Sequence, residues 1–346
     1  MMMKKYHNIL FFISFLILFI SFGCVNAVKI GGEKPSLVDT VIITNDNWAD
    51  CIVAAEYAYE LNGVILQTEG DNLNPHVENM VKSINPKKIV IVGGPLAVSK
   101  DVENKLKKYG NVIRIWGPTR VETDENILKL LNSNNTKVLV NGYNFSEVIM
   151  VSNEYIPVYC SIDVYNPNSV IRVYKNNTVK IYDAHNKRFI GEYERNKVLE
   201  IPNKVIVLNK PNINVEYCYN EDIHAFGYPI INISHDYYKY YSNNYPILLD
   251  KNSVSALLLS KYLNVPITTQ SDGNHVLQFN EDAVNNSITV AVNILVLKKT
   301  MDSYKQNGDL EQSLNEAKTQ LWSKNIPVEK YNMPYNYLKN YIKNHN

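Results

Sequence analysis

The chain has 346 residues, with 35 lysines and arginines against 34 aspartates and glutamates, a formal charge of +1 at pH 7. So near-neutral a balance supplies no electrostatic footprint for nucleic acid and no polybasic patch for a membrane surface. The length exceeds one typical domain, so two or three units are expected.

The first 27 residues read as a leader. Lys4 and Lys5 precede an uncharged apolar run from Ile9 to Phe22, and small residues close it at Val25-Asn26-Ala27. A basic start, an apolar middle and small residues before a cut are the pattern of a cleavable signal peptide. The stretch Ile9–Val25 also reaches the lower length limit of a membrane-spanning helix, so a retained anchor is the competing reading. Cys24 follows Gly23, but Ser21 and Phe22 do not fit the usual lipidation signal. Either way, the rest of the chain is expected outside the cytoplasm, with membrane contact only through this segment.

Beyond the leader the elements follow in order. Val41–Thr44 is a short apolar strand running into Asn45-Asp46-Asn47, which caps a helix over about 49–61. Val64–Leu66 is a second strand, and Pro75 opens a helix that turns Val77, Met80, Val81 and Ile84 inward. Lys88–Val92 is a third strand, stopped by Gly93-Gly94-Pro95; a helix near 100–108 and a fourth strand at Val112–Ile115 follow. Continuous apolar strands alternating with amphipathic helices predict a parallel sheet with flanking helices over about 38–150.

From about 155 to 222 the character becomes β-rich. Val170–Tyr174 and Val179–Tyr182 flank Asn176-Asn177 as a hairpin, with further runs at Phe189-Ile190, Val198–Ile201 and Val205–Leu208. These predict a small antiparallel unit. Strand, helix and strand return over 247–268, a long helical pattern covers about 282–322, and a tyrosine-rich tail follows. The expected division is therefore leader 1–27, α/β region 28–150, β-rich unit 151–230, and an α/β and helical region 231–346.

Cys51 sits among apolar residues as a buried thiol. Cys160 and Cys218 flank the β-rich stretch and are candidates for a disulfide, although spacing alone gives no geometry. Sequons begin at Asn134, Asn144, Asn176, Asn232 and Asn285, glycosylation candidates in an exported chain where exposed. Searches for hydrolase, zinc-protease and phosphate-loop motifs find none, and the histidines lack metal-ligand spacing, so no cofactor or metal is expected.

The segments Asp46-Asn47-Trp48-Ala49-Asp50, Ile89–Ser99 (with Gly93-Gly94-Pro95-Leu96-Ala97-Val98-Ser99) and Arg114-Ile115-Trp116-Gly117-Pro118-Thr119-Arg120-Val121-Glu122-Thr123 carry a resemblance. In order and spacing they resemble the cell wall binding repeat 2 family of surface-layer and cell-wall proteins. Val138–Glu147 is similar to the opening of a second, partial repeat, with Glu147 in place of the family's aspartate. The resemblance implies Rossmann-like repeats that pack together and bind an anionic surface polymer.

Ligands of open α/β sheets sit beyond the carboxyl ends of the strands. That rule, with the resemblance, selects Asn47, Trp48, Asp50, Gly93, Gly94, Ser99, Arg120, Asn144 and Glu147 as ligand-binding candidates. Each also has a plain structural role, as helix cap, packing ring or tight turn. Arg114, Arg120 and Glu122 are expected to hold one repeat against the next. The leading functional expectation is a non-catalytic module that attaches to a cell-envelope polymer or surface layer. Two others stay open: an envelope glycan hydrolase using Asp50 or Glu147, and a surface protein-docking module.

Overall fold

A computed structural model describes residues 35–133, 135, 137–152, 155–160, 169–174, 178–183, 189–194, 205–207, 214–218, 246–269, 277 and 279–345. For residues 139, 150 and 160, and for the described residues between 169 and 218, it gives the backbone alone. The leader, the sequons at Asn134, Asn176 and Asn232, and the expected strand at Val198–Ile201 lie outside the described residues. So do the side chains of Cys160 and Cys218.

The first sheet is built as the apolar runs predict. Its strands are β1 (Thr40–Thr44), β2 (Val64–Gln67), β3 (Lys88–Val92) and β4 (Asn111–Ile115), all parallel in the order β2-β1-β3-β4. Every residue of β1 and β2 is buried, as a sheet covered on both faces requires. The crossovers are α1 (Trp48–Glu60), α2 (Pro75–Ile84) and α3 (Lys100–Leu106). Their starts are set by Asn47, Asn74 and Ser99, whose side chains accept backbone N–H groups of the first turn. Asn62 and Asn85 adopt positive φ (53° and 54°) just beyond α1 and α2, using asparagine where many helices end on glycine.

The second sheet takes its strands from both sides of residue 150. After α4 (Arg120–Leu128), β5 (Lys137–Asn141), α5 (Phe145–Ser152) and β6 (Ile156–Cys160) continue the parallel pattern. Their sheet is completed by β10 (Val205–Val207), which pairs parallel with β5 rather than joining the antiparallel unit. An apolar run fixes a strand but not its neighbour. The other β-rich strands, β7 (Ser169–Tyr174), β8 (Thr178–Asp183) and β9 (Phe189–Glu194), are antiparallel, with the hairpin joining β7 to β8. Strand β11 (Asn214–Cys218) then runs parallel to β7, so the unit is mixed.

The C-terminal part adds β12 (Ile247–Leu248), α6 (Ala256–Leu263), β13 (Ile267–Thr268), α7 (Ala283–Asn307), α8 (Leu310–Trp322) and α9 (Tyr335–His345). The single helical pattern expected over 282–322 is two helices. Gly308 takes a positive φ (71°) to end α7, and Asp309 caps α8. Helix α7 is buried without interruption from Val290 to Leu297, so it is a core helix rather than a surface one. It lies along the edge of β2, where the Gln67 N–H donates to Ser287 Oγ at 2.9 Å, covering an edge that would otherwise be open. Asn293, fully buried, donates to Asn332 Oδ1 at 2.9 Å and accepts from the Met333 N–H at 2.9 Å, pinning the segment before α9. The described residues from Ser36 onward fall into one unit. Among the described residues no helix is long and apolar enough to cross a membrane.

Candidate functional site

The loops after β1, β3, β4 and β5 lie at the carboxyl ends of their strands. After β1, Asn45 Oδ1 accepts the Asn47 N–H at 3.1 Å, and Asn47 Oδ1 accepts the Ala49 N–H at 3.0 Å. This double cap starts α1 with Trp48 half-buried at the rim and Asp50 turned inward, 6 % exposed.

Arg120, the first residue of α4, connects the two sheets. Its Nη1 donates to the Gly142 carbonyl at 3.1 Å, while its guanidinium lies 5.1 Å from the Trp48 ring centre and 4.6 Å from that of Tyr143. A planar cation between two aromatic faces is held in orientation without losing its charge. Trp48 in turn meets Phe145 edge-on at 5.4 Å. Behind this frame the buried Tyr159 hydroxyl donates to the Ala49 carbonyl at 3.1 Å, and its N–H donates to Asp124 Oδ2 at 2.7 Å. Burial, then Asp124 and Asp50, push the Tyr159 phenol well above its ordinary range, so it stays a neutral donor.

Burial raises Asp50 to about 6, with Arg120 pulling the other way. Its Oδ2 stands 3.0 Å from where a Cβ on Gly93 would lie, and Gly93 has φ +119°. Only glycine satisfies both the backbone angle and the close approach of the carboxylate. The neighbouring Gly94 makes room on the other side, where a Cβ would come 3.0 Å from Trp116 Cε3. The rim therefore runs without a break from Trp116, over the two glycines, past Asp50 to Arg120 and Tyr143.

The expected arginine network divides by role. Arg120 does bridge the two units, whereas Arg114 works within the first. Its Nε pairs with the buried Glu103 at 2.9 Å and its Nη1 donates to the Gly93 carbonyl at 2.8 Å, bracing the glycine turn. Burial alone would lift Glu103, but hydrogen bonds from Lys100, Arg114 and Lys107 hold it at about 2. Glu122 serves its own helix, in a reciprocal capping box with Thr119.

Of the residues singled out from the sequence, Trp48, Asp50, Gly93, Gly94 and Arg120 come together, with Asn47 capping the helix that carries two of them. Ser99 is engaged elsewhere, accepting from the Val102 N–H at 3.3 Å and donating to the Asp71 carbonyl at 3.2 Å. Asn144 and Glu147 form a mutual cap at the start of α5, with Asn144 Nδ2 donating to Glu147 Oε1 at 2.8 Å. Asp50 and Glu147 each sit in the first turn of a helix, near the positive end of its dipole. Two sequons fall on described residues. Asn144 is half-buried in that cap, and Asn285 lies in the first turn of α7, where its side chain accepts from Lys330.

Trp116, Tyr143, Tyr159 and Asp124 were not anticipated as site residues. Trp116 and Tyr143 each stand next to a glycine just after a strand, a signal that could have marked them. Nothing local distinguishes Tyr159 or Asp124, which reach the site through long-range pairing. Cys51 is buried and its thiol is pushed up to about 12, chiefly by burial, consistent with an inert core residue.

The first parallel α/β unit, with its glycine turn after β3, meets the second through Arg120. Residues 22–103 match the model of the family described as Cell wall binding domain 2 (CWB2), the family that the motifs at Asp46–Asp50 and Ile89–Ser99 resemble. The chain is 38% identical over 115 residues to an amidase enhancer of Bacillus subtilis, covering 33% of this chain and 16% of that protein. It is 32% identical over 123 residues to the N-acetylmuramoyl-L-alanine amidase LytC of the same species, covering 35% and 25%. A protein of Methanocaldococcus jannaschii is 37% identical over 134 residues, covering 36% and 38%. The chain thus spans well under half the length of these relatives. Among solved structures, Cwp8 from Clostridium difficile aligns over 76% of this chain and 45% of its own, at 15% identity and a TM-score of 0.46. Cwp6 from the same species aligns over 41% and 23%, at 24% identity and a TM-score of 0.33.

Proposed function

We propose that this chain is a non-catalytic module that attaches to a polymer of the cell envelope, outside the cytoplasm, through the rim centred on Arg120. The observation that carries the reading is the guanidinium framed by Trp48 and Tyr143 where two α/β units meet. A fixed cation in an aromatic frame suits a negatively charged polymer passing across the strand ends. The family match supports an envelope target, and relatives named as an amidase and an amidase enhancer suggest a segment that positions other activities on the wall. Export would rest on the leader in residues 1–27.

Co-sedimentation of the chain with isolated envelope from its source cell tests this. The chain is expected in the pellet, and Arg120→Ala should weaken binding by about tenfold, the equivalent of ~1.4 kcal/mol. Added salt should lower wild-type binding, because a rim-exposed charge is screened. A chain that stays in the supernatant with every envelope preparation ends the proposal.

One observation favours a second reading. Asp50, buried and raised to about 6, has the proton affinity of a general acid. If the chain hydrolyses envelope glycan, replacing both Asp50 and Glu147 with alanine should abolish that activity; undiminished hydrolysis by the double variant removes the idea.

A further inference from the structure

We propose that Lys298 and Asn62 join in a covalent isopeptide bond, the lysine amine displacing ammonia from the asparagine side chain, so that α7 is stapled to the turn between α1 and β2. The proposal is independent of the envelope reading.

Groups from separate elements meet at that turn. Lys298, on α7, places Nζ 2.7 Å from Asn62 Oδ1 and also donates to the Asn62 carbonyl. The same Nζ lies 4.8 Å from the ring centre of Tyr262 on α6, a side chain only 6% exposed. The Tyr262 hydroxyl is 3.2 Å from Asn62 Oδ1 and 3.1 Å from the Gly63 carbonyl. Tyr59 of α1 adds a second ring, edge-on to Tyr262 at 5.3 Å. Asp302, one turn along α7, pairs with Lys299 at 2.9 Å. The hydrogen-bond partners of Lys298 at this turn are therefore neutral oxygens. Burial lowers its ammonium to about 8, with Asp302 pulling the other way. About a tenth of the amine is then neutral at pH 7, and the neutral amine is the nucleophile.

Oδ1 is bonded to Cγ, so the amine stands beside the carbon that it attacks. As the Nζ–Cγ bond forms, negative charge develops on Oδ1, within reach of the Tyr262 hydroxyl. Burial pushes that phenol above its ordinary range, so it keeps the proton that it donates. The Cγ–Nδ2 bond then breaks. The departing nitrogen takes one proton from Nζ and leaves as ammonia into water, to which Asn62 is exposed. No further reactant is needed. Attack by the Gly63 nitrogen, which would give a succinimide instead, is opposed because that N–H donates to the Ala58 carbonyl at 2.8 Å. The new bond spans 236 positions of the chain, a long loop whose closure restricts the unfolded state.

Peptide mapping of the full, folded chain by mass spectrometry, after incubation at pH 8, is the test. The expected product is a branched peptide joining the Asn62 and Lys298 segments, lighter than their sum by one ammonia. Lys298→Arg, which keeps the cation without the nucleophilic amine, should give the two segments separately. Tyr262→Phe keeps the ring and should form the link about a hundredfold more slowly, the usual loss for one oxyanion donor. An undiminished rate in that variant would overturn the role given to the hydroxyl. Two separate peptides of unaltered mass from the wild type overturn the bond itself. So does loss of ammonia without branching, the mark of a succinimide at Asn62-Gly63.

Discussion

Replacing Lys261 with methionine is expected to destabilise the fold by about 3–5 kcal/mol, the cost of leaving one member of a buried ion pair without its partner. Lys261 on α6 lies at a three-way junction. Its Nζ is 2.8 Å from Glu56 Oε1 on α1 and donates to the Ser152 carbonyl at the end of α5 at 3.2 Å. Glu56 is buried and Lys261 nearly so, at 7% and 13% side-chain exposure. One ammonium group therefore ties together helices that follow β1, β5 and β12, the corresponding crossover in each α/β unit. Urea unfolding at pH 7 measures the loss. A companion variant, Glu56→Gln with Lys261→Met, should recover most of it, because no charge then remains to be buried. A loss below about 1 kcal/mol in the single variant would mean that the junction admits water and the pair is worth no more than a surface bridge.

The pH dependence of that variant has a definite sign. Burial raises the Glu56 carboxyl above its ordinary value even with Lys261 opposing. Without the lysine the shift grows. A raised carboxyl destabilises once the unfolded chain can ionise it, so stability is lost as pH rises above about 4.5 and returns on acidification. The deficit of Lys261→Met should therefore be smaller at pH 5 than at pH 8.

How much of this could be read from the sequence follows from the range of the interactions. The first sheet was legible because β1, β2 and β3 are continuous apolar runs, and runs of that kind are local. The turn at Gly93-Gly94 was legible too, since two glycines after a strand announce a backbone that side chains would obstruct. The partner of β10 was not, because Val205–Val207 carries the same pattern whether it joins β5 or β7. Lys261 gave no signal either. It is one lysine among many, and only the packing of α1, α5 and α6 removes it from water. Arg120 was chosen for its place in a motif, but its aromatic frame comes from Trp48 and Tyr143, distant in sequence on either side. The break at Gly308 was hidden by helical periodicity that runs on through α8.

Asp50→Asn is expected to stabilise the protein by up to ~3 kcal/mol above pH 6, an effect that vanishes below about pH 4. Burial raises the wild-type carboxyl to about 6 in the fold, from an ordinary value of 3.8. Below pH 4 the proton is held in both states and no penalty arises. Between about 4 and 6 the unfolded chain ionises first, so stability falls by roughly 1.4 kcal/mol per pH unit. Above 6 both states are ionised and the full cost of the buried charge is present. Arg120, on α4, and the positive end of α1 both oppose that cost. Cys51 beside Asp50 and Tyr159 on β6 are neutral neighbours that do not offset it, and Asp124 on α4 adds a further carboxyl nearby. An amide of the same shape keeps the contact with the Gly93 turn and removes the charge. Urea unfolding of both proteins from pH 4 to pH 8 should give curves that converge at the acid end and separate as pH rises. Parallel curves would mean that Asp50 reaches water and that desolvation does not set its titration. A buried charge kept at that cost, directly beneath the rim and beside Arg120, is the pattern expected of a group retained for binding rather than for stability.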